Sequence, residues 1–514
     1  MAPENPTSTM TTREPDPALR ELSEQAITAL RDPAVAPSVE MVLRVADGLY
    51  EAIAPDGRVR FDRPDGPDAE PSTVTVEGRN PLGDRSVDRF VGLETERGSL
   101  HPDRTTNSYP HGYDQVAQLF DHAAAPDLCV VHSAGHHWPE SGGHVGEHGS
   151  LDVIQARAPF VVAGRGIRRH GMIDRSIRLV DVGPTLAELL GVAPHDDTGE
   201  FLAGTDGVVR HELLDPHDGR PKHVVGFLFD GANPNVLYDL AASGDAPNVA
   251  RLIEAGTALR FGAMSGMPTV TLANHTSILT GRLPGHHGVL HNSWYDRRIE
   301  KSIETNSLAT WAFAMQHLVE GTETLFEAIR RTWPDTFTAA VDEPCDRGAA
   351  YSTFDFFRSG DVPEISSDTS ELPYTNPAYA TSSLGYAAWT IIDHQAVEQA
   401  VGIWSGRYRD QSYPLPRFMW INFTVIDSAM HEGGPHSDIA EAAIRDTDAR
   451  LGAVLDAVEK AGVYDDTAFV LLADHGMEQT NPGVRSDWDA VLRDAEVPVR
   501  NEACGFLYLN EPAT

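Results

Sequence analysis

One stretch decides the interpretation of this chain: Met267-Pro-Thr-Val-Thr271-Leu-Ala-Asn-His-Thr-Ser-Ile-Leu-Thr-Gly281. Pro268 ends any preceding helix, and Thr271 stands at the N-cap position of a short apolar-periodic helix that Gly281 ends. A hydroxyl group at a helix start faces free backbone N–H groups and the positive end of the helix dipole, which favours holding or attacking a phosphate there. Taken alone, the stretch favours the simpler interpretation that Thr271 only caps the helix.

The composition excludes several classes of partner. The 514 residues carry a formal net charge of −36, which argues against DNA or RNA because binding to a phosphate backbone needs lysine and arginine. The three cysteines Cys129, Cys345 and Cys504 are far apart and form no CxxC pair, so no disulfide framework is expected. The sequence contains neither a signal-peptide pattern nor an apolar run long enough to span a membrane. We expect a cytoplasmic protein without a membrane partner, and its oligomeric state stays open.

The pattern along the chain indicates a polar tail and two structured parts. Residues 1–18 are polar and rich in proline and threonine, which predicts a disordered tail. The first structured part is predicted at 19–191 and begins with helical periodicity over 19–53. Residues 192–222 are rich in Asp, His, Gly and Pro and are interpreted as a linker to the second part at 223–514.

Several apolar runs predict buried strands. The strongest is the core strand predicted at 223–231, which is continuously apolar, as strands covered on both faces are. Helical patterns alternate with these runs, which predicts an α/β fold with a central, mostly parallel sheet flanked by helices. Residues 293–413 lack clear sheet periodicity and are predicted to form a cap insertion. The other predicted strands are 127–132, 158–164, 418–424 and 468–473.

Acidic and histidine side chains follow three of these strands. Asp230 ends the first, Asp427 and His431 follow the second, and Asp474 and His475 end the third. The carboxyl ends of strands line the ligand crevice of an α/β sheet. The four-residue spacing of Asp427 and His431 places both on one helical face, which is ligand spacing for a metal such as zinc. Each feature alone is more typical of a turn or a surface pair, but together they favour a metal-dependent site beside the threonine helix.

The motifs also occur in the order seen in one family of enzymes. They are Phe229-Asp230-Gly231, Pro268-Thr-Val-Thr-x-x-Asn-His275, Leu279-Thr-Gly281, His287-Gly-Val-Leu-x-Asn292, Asp427-x-x-x-His431 and Ala473-Asp-His-Gly-Met477. This set resembles the nucleotide pyrophosphatase/phosphodiesterases of the alkaline phosphatase superfamily. The resemblance covers most of residues 222–510 outside the predicted insertion. It implies an alkaline-phosphatase-like sandwich.

The resemblance also implies two zinc ions and a set of residues around them. The first ion would be held by Asp230, Thr271, Asp474 and His475. The second would be held by Asp427, His431 and one further histidine. The side chain of Asn292, together with the backbone N–H of Leu272, would steady the phosphoryl oxygens. Zinc is the metal that the family implies, and manganese or iron would suit some of these ligands.

The further histidine normally lies well downstream of the Asp-His pair, but the 39 residues after His475 contain none. The first part of the chain offers a replacement, because 146–152, 158–166 and 180–191 resemble the end of the same superfamily's fold. We therefore predict a circular permutation in which both parts form one composite catalytic domain. Such a rearrangement is physically plausible because domain termini often lie close together at the surface.

The resemblance thus places the missing ligand in the histidine-rich loop of the first part. His148 is the predicted ligand, and His144 is the alternative. The loop histidines His132, His136 and His137 are expected to be loop or supporting residues.

The resemblance implies hydrolysis of phosphodiester or pyrophosphate bonds in a small phosphorylated substrate. Thr271, bound to one metal ion, would attack phosphorus and form a phosphothreonine that water then cleaves. Thr269 is the alternative nucleophile, although its spacing to the Asn-His275 pair does not match the family.

Two positions bear on the substrate. Nucleotide-specific relatives hold the base between aromatic side chains at the positions of Leu272 and Asn422, so the resemblance does not extend to nucleotide specificity. A phosphomonoesterase or a phosphonate hydrolase is the alternative within this chemistry. A non-catalytic binder is the alternative outside it, and the intact nucleophile and ligand set argues against that. Replacement aromatics could come from the predicted insertion, namely Trp294, Tyr295, Trp311, Phe313, Tyr351 and Phe354.

Overall fold

A computed structural model describes residues 17–136, 144–307, 309–361, 369, 372–484, 487–503 and 505–511. Most of the predicted N-terminal tail lies outside these residues, as do His137 and Cys504. Within the described ranges, no helix combines the length and the apolar character that crossing a membrane requires.

A central sheet of eight strands forms the core among the described residues. Across the sheet the strands follow the order Tyr351–Ser352, Thr338–Val341, Phe418–Phe423, His223–Phe229, Thr467–Leu472, Phe160–Gly164, Gly256–Leu259 and Gly171–Ile173. Seven strands run in one direction, and only Phe160–Gly164 is antiparallel to both of its neighbours. The three central strands are apolar and buried along nearly their whole length, as strands covered on both faces are. The prediction of a mostly parallel α/β sheet is confirmed.

The central sheet contains strands from both sides of residues 192–222. Phe160–Gly164, from the first part of the chain, pairs with Thr467–Leu472 on one side and with Gly256–Leu259 on the other. The first part therefore completes the sheet of the second part, and one hydrophobic core contains residues from both. The circular permutation stays a prediction, because it concerns the order of segments in related chains. The composite catalytic domain also stays a prediction.

Helices cover the central sheet and connect its strands. Several begin at a residue whose side chain accepts hydrogen bonds from the first turn, as Asn233 and Ser437 do. The α-helices are Pro17–Ala29, Leu93–Arg97, Gly112–Leu119, Val153–Ala156, Val182–Leu190, Pro234–Ser243, Pro247–Ala255, Thr271–Thr280, Pro284–His287, Leu325–Thr332, Phe354–Ser359, Pro377–Ser382, Leu384–Trp404, Val425–Gly433, Asp438–Lys460 and Trp488–Asp494.

A second sheet joins the two ends of the described chain. Its seven strands are all antiparallel to their neighbours and follow the order Val499–Glu502, Phe506–Leu509, Leu128–His132, Val39–Ala46, Leu49–Ala54, Gly57–Phe61 and Val74–Gly78. A separate apolar cluster packs the helices Pro17–Ala29 and Trp488–Asp494 onto this sheet.

The helical periodicity predicted over 19–53 is wrong beyond Ala29. Residues 39–54 form a hairpin, and its two-residue turn consists of Asp47 and Gly48. Both turn residues have positive φ angles, 52° and 74°, as a type I′ turn requires. The Asp-Gly pair between two apolar runs is therefore the local sequence feature that indicates a hairpin here, despite the apparent helical periodicity.

The predicted insertion at 293–413 is also corrected in part. Thr338–Val341 pairs with Phe418–Phe423, and Tyr351–Ser352 pairs with Thr338–Val341, so this segment forms one edge of the central sheet. Thr338–Val341 is a fully buried strand of only four residues, which is too short to show a period of two.

Short strand pairs complete the fold. One of them, Gly146–Glu147 with Glu478–Gln479, ties the loop that carries His148 to the segment that follows His475. The other short strands are Arg157–Ala158, Ile177–Arg178, Ala263–Met264, Ser293–Asp296, Lys301–Glu304, Arg407–Tyr408 and Gln411–Ser412.

Candidate active site

The threonine helix begins at Thr271 itself. Val270 is the N-cap residue, with φ −128° and ψ 157°, and no side chain caps the helix. The prediction of Thr271 as the N-cap is therefore wrong by one position, whereas Gly281 ends the helix in the left-handed conformation, as expected. Because the Thr271 hydroxyl does not cap the helix, it is available for other contacts, and its Oγ1 lies 3.5 Å from Nε2 of His475.

Three side chains that could hold a metal ion meet beside Thr271, and we call Asp230, Asp474 and His475 the inner cluster. His475 Nε2 lies 3.1 Å from Asp474 Oδ2 and 3.8 Å from Asp230 Oδ1. The strands His223–Phe229 and Thr467–Leu472 are parallel neighbours, so the residues that follow them emerge at one edge of the sheet. The backbone N–H of Gly231 donates to Asp474 Oδ1 over 3.1 Å and links the two strand ends.

A second group lies next to the first, and we call His148, Asp427 and His431 the outer cluster. Asp427 and His431 lie one turn apart on the helix Val425–Gly433, with 3.5 Å between Asp427 Oδ2 and His431 Nε2. His148 Nε2 lies 3.2 Å from His431 Nε2 and 3.7 Å from Asp427 Oδ1. The structure thus brings together residues that are more than 270 positions apart in the sequence, since residue numbers 148 and 427 differ by 279.

Backbone carbonyl groups orient all three histidines in the same way. Nδ1 of His148 donates to Thr269 O over 2.9 Å, Nδ1 of His431 to Gly146 O over 2.7 Å, and Nδ1 of His475 to Gly476 O over 2.9 Å. A carbonyl oxygen only accepts, so each Nδ1 carries a proton, and each Nε2 can present a lone pair to its cluster. This orientation by a second partner is typical of metal-binding histidines.

The electrostatics of the two clusters suit cations. Asp230 Oδ1, Asp427 Oδ1 and Asp474 Oδ2 are buried without a hydrogen-bond partner among the described residues. Burial and the nearby carboxylates of Asp474 and Asp427 raise the pKa of Asp230 well above its usual range. Burial and the neighbouring histidines His475 and His431 keep the pKa of His148 well below its usual range, so its imidazole is neutral. Unpaired buried carboxylates and neutral histidines are a donor set for divalent metal ions.

Two combinations of these residues have ligand atoms within 4.8 Å of one another. They are His148 with Asp427 and His431, and Asp230 with Asp427 and His475. Asp427 belongs to both, so the inner and outer clusters adjoin.

The alternative ligand His144 lies beside His431. Its Nδ1 is 3.0 Å from Glu147 Oε1, and its ring centroid is 4.3 Å from that of His431. His148, rather than His144, makes the close approach to Asp427. His132 Nε2 lies 3.3 Å from the His148 carbonyl oxygen, which suits the supporting position expected for it.

The alternative nucleophile Thr269 has its hydroxyl group engaged elsewhere. Its Oγ1 donates to Ser150 O over 2.8 Å and accepts from the Gly149 N–H over 2.9 Å. These bonds hold the loop that carries His148 against the threonine helix.

A cavity of about 330 Å³ opens onto Thr271 and the outer cluster. Asn292 lines it, as predicted for a residue that contacts the phosphoryl group. Leu272 and Asn422 do not line it, because the Leu272 side chain is buried and Asn422 lies within the central strand Phe418–Phe423. Leu272 and Asn422, the two positions that bear on the substrate, therefore lie outside the cavity wall.

Part of the cavity wall was not predicted. His291 and Phe506 line it, and their rings meet edge to face with 5.0 Å between centroids. Phe506 belongs to the second sheet, whose neighbouring strand contributes Cys129 and Val130. None of the six aromatics proposed from the insertion is among the described lining residues, whereas Ser293 and Asn306 from that segment are.

Comparison with known proteins identifies the family. The profile of the type I phosphodiesterase / nucleotide pyrophosphatase family matches residues 224–513, which is more than half of the chain. The chain therefore belongs to this family of phosphoester hydrolases in the alkaline phosphatase superfamily. The match includes the inner cluster, Thr271, Asp427 and His431, and it leaves His148 outside.

Relatives in the superfamily match smaller parts. Alkaline phosphatase PafA of Elizabethkingia meningoseptica is 36% identical over 88 residues, 17% of this chain and 16% of that protein. Ectonucleotide pyrophosphatase/phosphodiesterase family member 3 of Rattus norvegicus is 25% identical over 265 residues, 50% of this chain and 25% of that protein. The chain thus aligns with a quarter or less of the length of these relatives.

Solved structures of the superfamily show limited overall likeness. Inactive murine ectonucleotide pyrophosphatase / phosphodiesterase 5 in complex with AMP is 17% identical, with a TM-score of 0.33 over 51% of this chain and 59% of that one. Phosphonoacetate hydrolase from Sinorhizobium meliloti 1021 in complex with phosphonoformate is 18% identical, with a TM-score of 0.32 over 50% and 57%.

Proposed function

We propose that this chain hydrolyses phosphodiester or pyrophosphate bonds with Thr271 as the nucleophile and two metal ions as cofactors. The observation that carries the proposal is the convergence of both clusters beside Thr271, which lines one cavity together with the outer cluster. A threonine that only capped a helix would not need unpaired carboxylates and oriented histidines around its hydroxyl group.

The arrangement of the side chains indicates which residues would hold each ion. One ion would be held by Asp230, Thr271, Asp474 and His475. The other would be held by His148, Asp427 and His431. Nitrogen and oxygen ligands in these numbers suit zinc, and manganese or iron is compatible with some of them. When bound, such ions supply positive charge that polarises phosphoryl oxygens and favours a deprotonated hydroxyl.

The residues of the chain supply the remaining chemistry. Thr271 Oγ1 forms a bond to phosphorus while the bond from phosphorus to the leaving oxygen breaks, and water then hydrolyses the phosphothreonine and restores the threonine. The free N–H groups of the first helical turn, including that of Leu272, and the helix dipole favour the anionic phosphoryl group at this position. Asn292 is the amide on the cavity wall that can donate to a phosphoryl oxygen.

The cavity wall favours a diester over a monoester. A monoester carries a second negative charge, which proteins usually bind with lysine or arginine. No lysine or arginine lines the cavity in the part of the chain that the structure describes. A phosphomonoesterase and a phosphonate hydrolase are the alternative activities, and a non-catalytic binder is the alternative outside enzymes.

The substrate that fits is a small phosphorylated molecule rather than a nucleic acid polymer. His291 and Phe506 offer ring surfaces for its leaving group, although they do not occupy the aromatic positions of nucleotide-specific relatives. A cytoplasmic location stays a prediction from the sequence.

Hydrolysis of bis-p-nitrophenyl phosphate by the zinc-loaded protein tests this proposal. We expect turnover of this diester to exceed that of p-nitrophenyl phosphate, and Thr271→Ala to lower it by at least about 10³-fold. Thr276→Ala is the matched control, because the Thr276 hydroxyl lies in the same helix and donates only to Leu272 O over 2.7 Å. The proposal fails if Thr271→Ala retains the turnover of the control.

A further inference from the structure

A buried histidine–glutamate pair lies behind the inner cluster. His275 follows Thr271 by one turn in the helix Thr271–Thr280, and Glu343 follows the sheet strand Thr338–Val341. Nδ1 of His275 is 2.9 Å from Glu343 Oε2, and both side chains are fully buried. The cavity wall includes neither residue, so neither is placed to contact substrate directly.

The other face of His275 is directed at two predicted metal ligands. Its Nε2 lies 3.7 Å from Asp474 Oδ2 and 4.0 Å from Asp230 Oδ2. No hydrogen-bond partner for this nitrogen exists among the described residues, and Asp474 Oδ2 is also unpartnered. A small rotation of either carboxylate would bring its oxygen within hydrogen-bond distance of the imidazole.

Glu343 is itself held in a fixed orientation. Its second oxygen, Oε1, accepts the backbone N–H of Cys345 over 2.7 Å. A buried charge needs such partners, because an unpaired carboxylate in the interior costs several kcal/mol. The contacts form a chain from the backbone at Cys345 through Glu343 and His275 to the two aspartates.

We propose that Glu343 and His275 are positioning residues that orient Asp230 and Asp474 for metal binding in the inner cluster. Glu343 fixes the imidazole ring through Nδ1, and Nε2 restrains Asp474 Oδ2 and Asp230 Oδ2, the two carboxylate oxygens nearest to it. Asp230 Oδ1 is thereby left to face His475. This inference rests on the proposed function, because it requires a metal ion in the inner cluster.

This positioning role gives a reason for burying a histidine–glutamate pair in the core. A buried ion pair is often no more stabilising than well-packed apolar residues of the same volume. Partners that orient metal ligands, in contrast, commonly change metal affinity by about 10- to 100-fold when they are removed. A merely structural pair would affect folding without changing metal affinity selectively.

The test measures zinc affinity by competition with a chromophoric chelator, together with the melting temperature of metal-free and zinc-loaded protein. We expect Glu343→Gln to weaken one of two zinc-binding events by about 10- to 100-fold and to reduce the rise in melting temperature that zinc produces. His275→Gln should have the same effect, and the double variant should add little, since both residues act through one contact chain.

Glu51→Gln is the matched control. Glu51 is equally buried but lies in the second sheet, where it pairs with Arg44 and Arg60 over 2.7 Å each. It should lower the melting temperature of the metal-free protein without changing zinc affinity. If Glu343→Gln does not fold, His275→Gln decides the question.

Two outcomes would overturn the inference, and they are distinguishable. If the wild type binds two zinc ions and both variants bind them with unchanged affinity, the positioning role is wrong and the proposed function stands. If the wild type binds no divalent metal ion, the proposed function fails and this inference fails with it.

Discussion

The inner and outer clusters adjoin each other but are built differently. The side chains of Asp230, Asp474 and His475 are at most 5% exposed, whereas those of His148, Asp427 and His431 are 9%, 21% and 15% exposed. The residues of the inner cluster follow neighbouring parallel strands and lie within the family match, but the outer cluster includes one residue, His148, from outside it. The inner cluster is therefore set by the geometry of one sheet, and the outer cluster depends on a contact between distant segments.

Several contacts hold the loop of His148 next to the other residues of the outer cluster. The strand pair Gly146–Glu147 with Glu478–Gln479 holds one side of the loop, and the Thr269 hydroxyl holds the other through Gly149 and Ser150. His431 contacts the loop directly through Gly146 O. We expect a metal ion in the outer cluster to exchange more readily than one in the inner cluster, because the outer side chains are more exposed and one of them, His148, lies on a loop.

The largest effect should come from the inner cluster. Asp474→Asn removes the carboxylate 3.1 Å from His475 Nε2, and we expect diester hydrolysis to fall by at least about 10³-fold with loss of one zinc equivalent. Elemental analysis and steady-state kinetics on bis-p-nitrophenyl phosphate would measure both. Asp448→Asn is the control, because Asp448 is a buried aspartate that accepts backbone N–H groups of Asn248 and Val249 away from the cavity. Unchanged turnover in Asp474→Asn would show that the inner cluster is not the metal site.

A smaller effect is expected from the outer cluster. His148→Ala should lose one zinc equivalent and about 10²-fold of turnover, and excess zinc should restore part of it because Asp427 and His431 remain. His144→Ala is the matched control, since His144 belongs to the same loop but pairs with Glu147. Should His148→Ala keep both metal ions and the full rate, the first part of the chain would not complete the site, and the predicted permutation would lose its main support.

The same contrast explains how much the sequence could predict. The inner cluster was predictable because its residues directly follow apolar runs, and parallel strand ends meet at one edge. Asp427 and His431 were predictable from their four-residue spacing on one helix. His148 followed only from the family resemblance, because no local pattern indicates which distant histidine reaches a given aspartate. The roles of all these residues stay predictions until metals and kinetics are measured.

What the sequence did not indicate depends on long-range packing. Phe506 and His291 line the cavity, but Phe506 belongs to a strand of the second sheet, and His291 fills the unspecified position of the motif that ends at Asn292. Glu343 follows a four-residue strand that was predicted to belong to an insertion. In each case the position follows from which strands become neighbours, and that choice leaves no periodic signal in a short buried strand.

The smallest effect on activity should come from replacing His286, which joins three segments of the chain away from the cavity. His286 lies between Asp121 and Asp206, with 2.7 Å from Nε2 to the first carboxylate and 2.8 Å from Nδ1 to the second. Asp121 belongs to the first part of the chain, Asp206 to the predicted linker and His286 to the second part. Burial disfavours the charged imidazole, but the hydrogen bonds to both carboxylates outweigh it and raise the pKa of His286 to about 9.

The raised pKa of His286 predicts how the stability of the protein changes with pH. Because the folded pKa lies above the unfolded value of 6.5, the stabilisation is complete below about pH 6.5 and is lost as the pH rises through about 9. The difference corresponds to about 3 kcal/mol at low pH. His286→Gln should therefore lower the melting temperature strongly at pH 6 and hardly at pH 10, while turnover at 25 °C stays near the wild-type value.

Melting curves of metal-loaded wild type, His286→Gln and His217→Gln between pH 6 and pH 10 would measure this dependence. His217 is an exposed histidine of the predicted linker, and its replacement should leave the pH profile unchanged. A constant difference between wild type and His286→Gln across the range would mean that the imidazole is not held as a cation. The three segments would then be joined mainly by the shared sheet and the apolar core, and the charge of His286 would contribute little to stability.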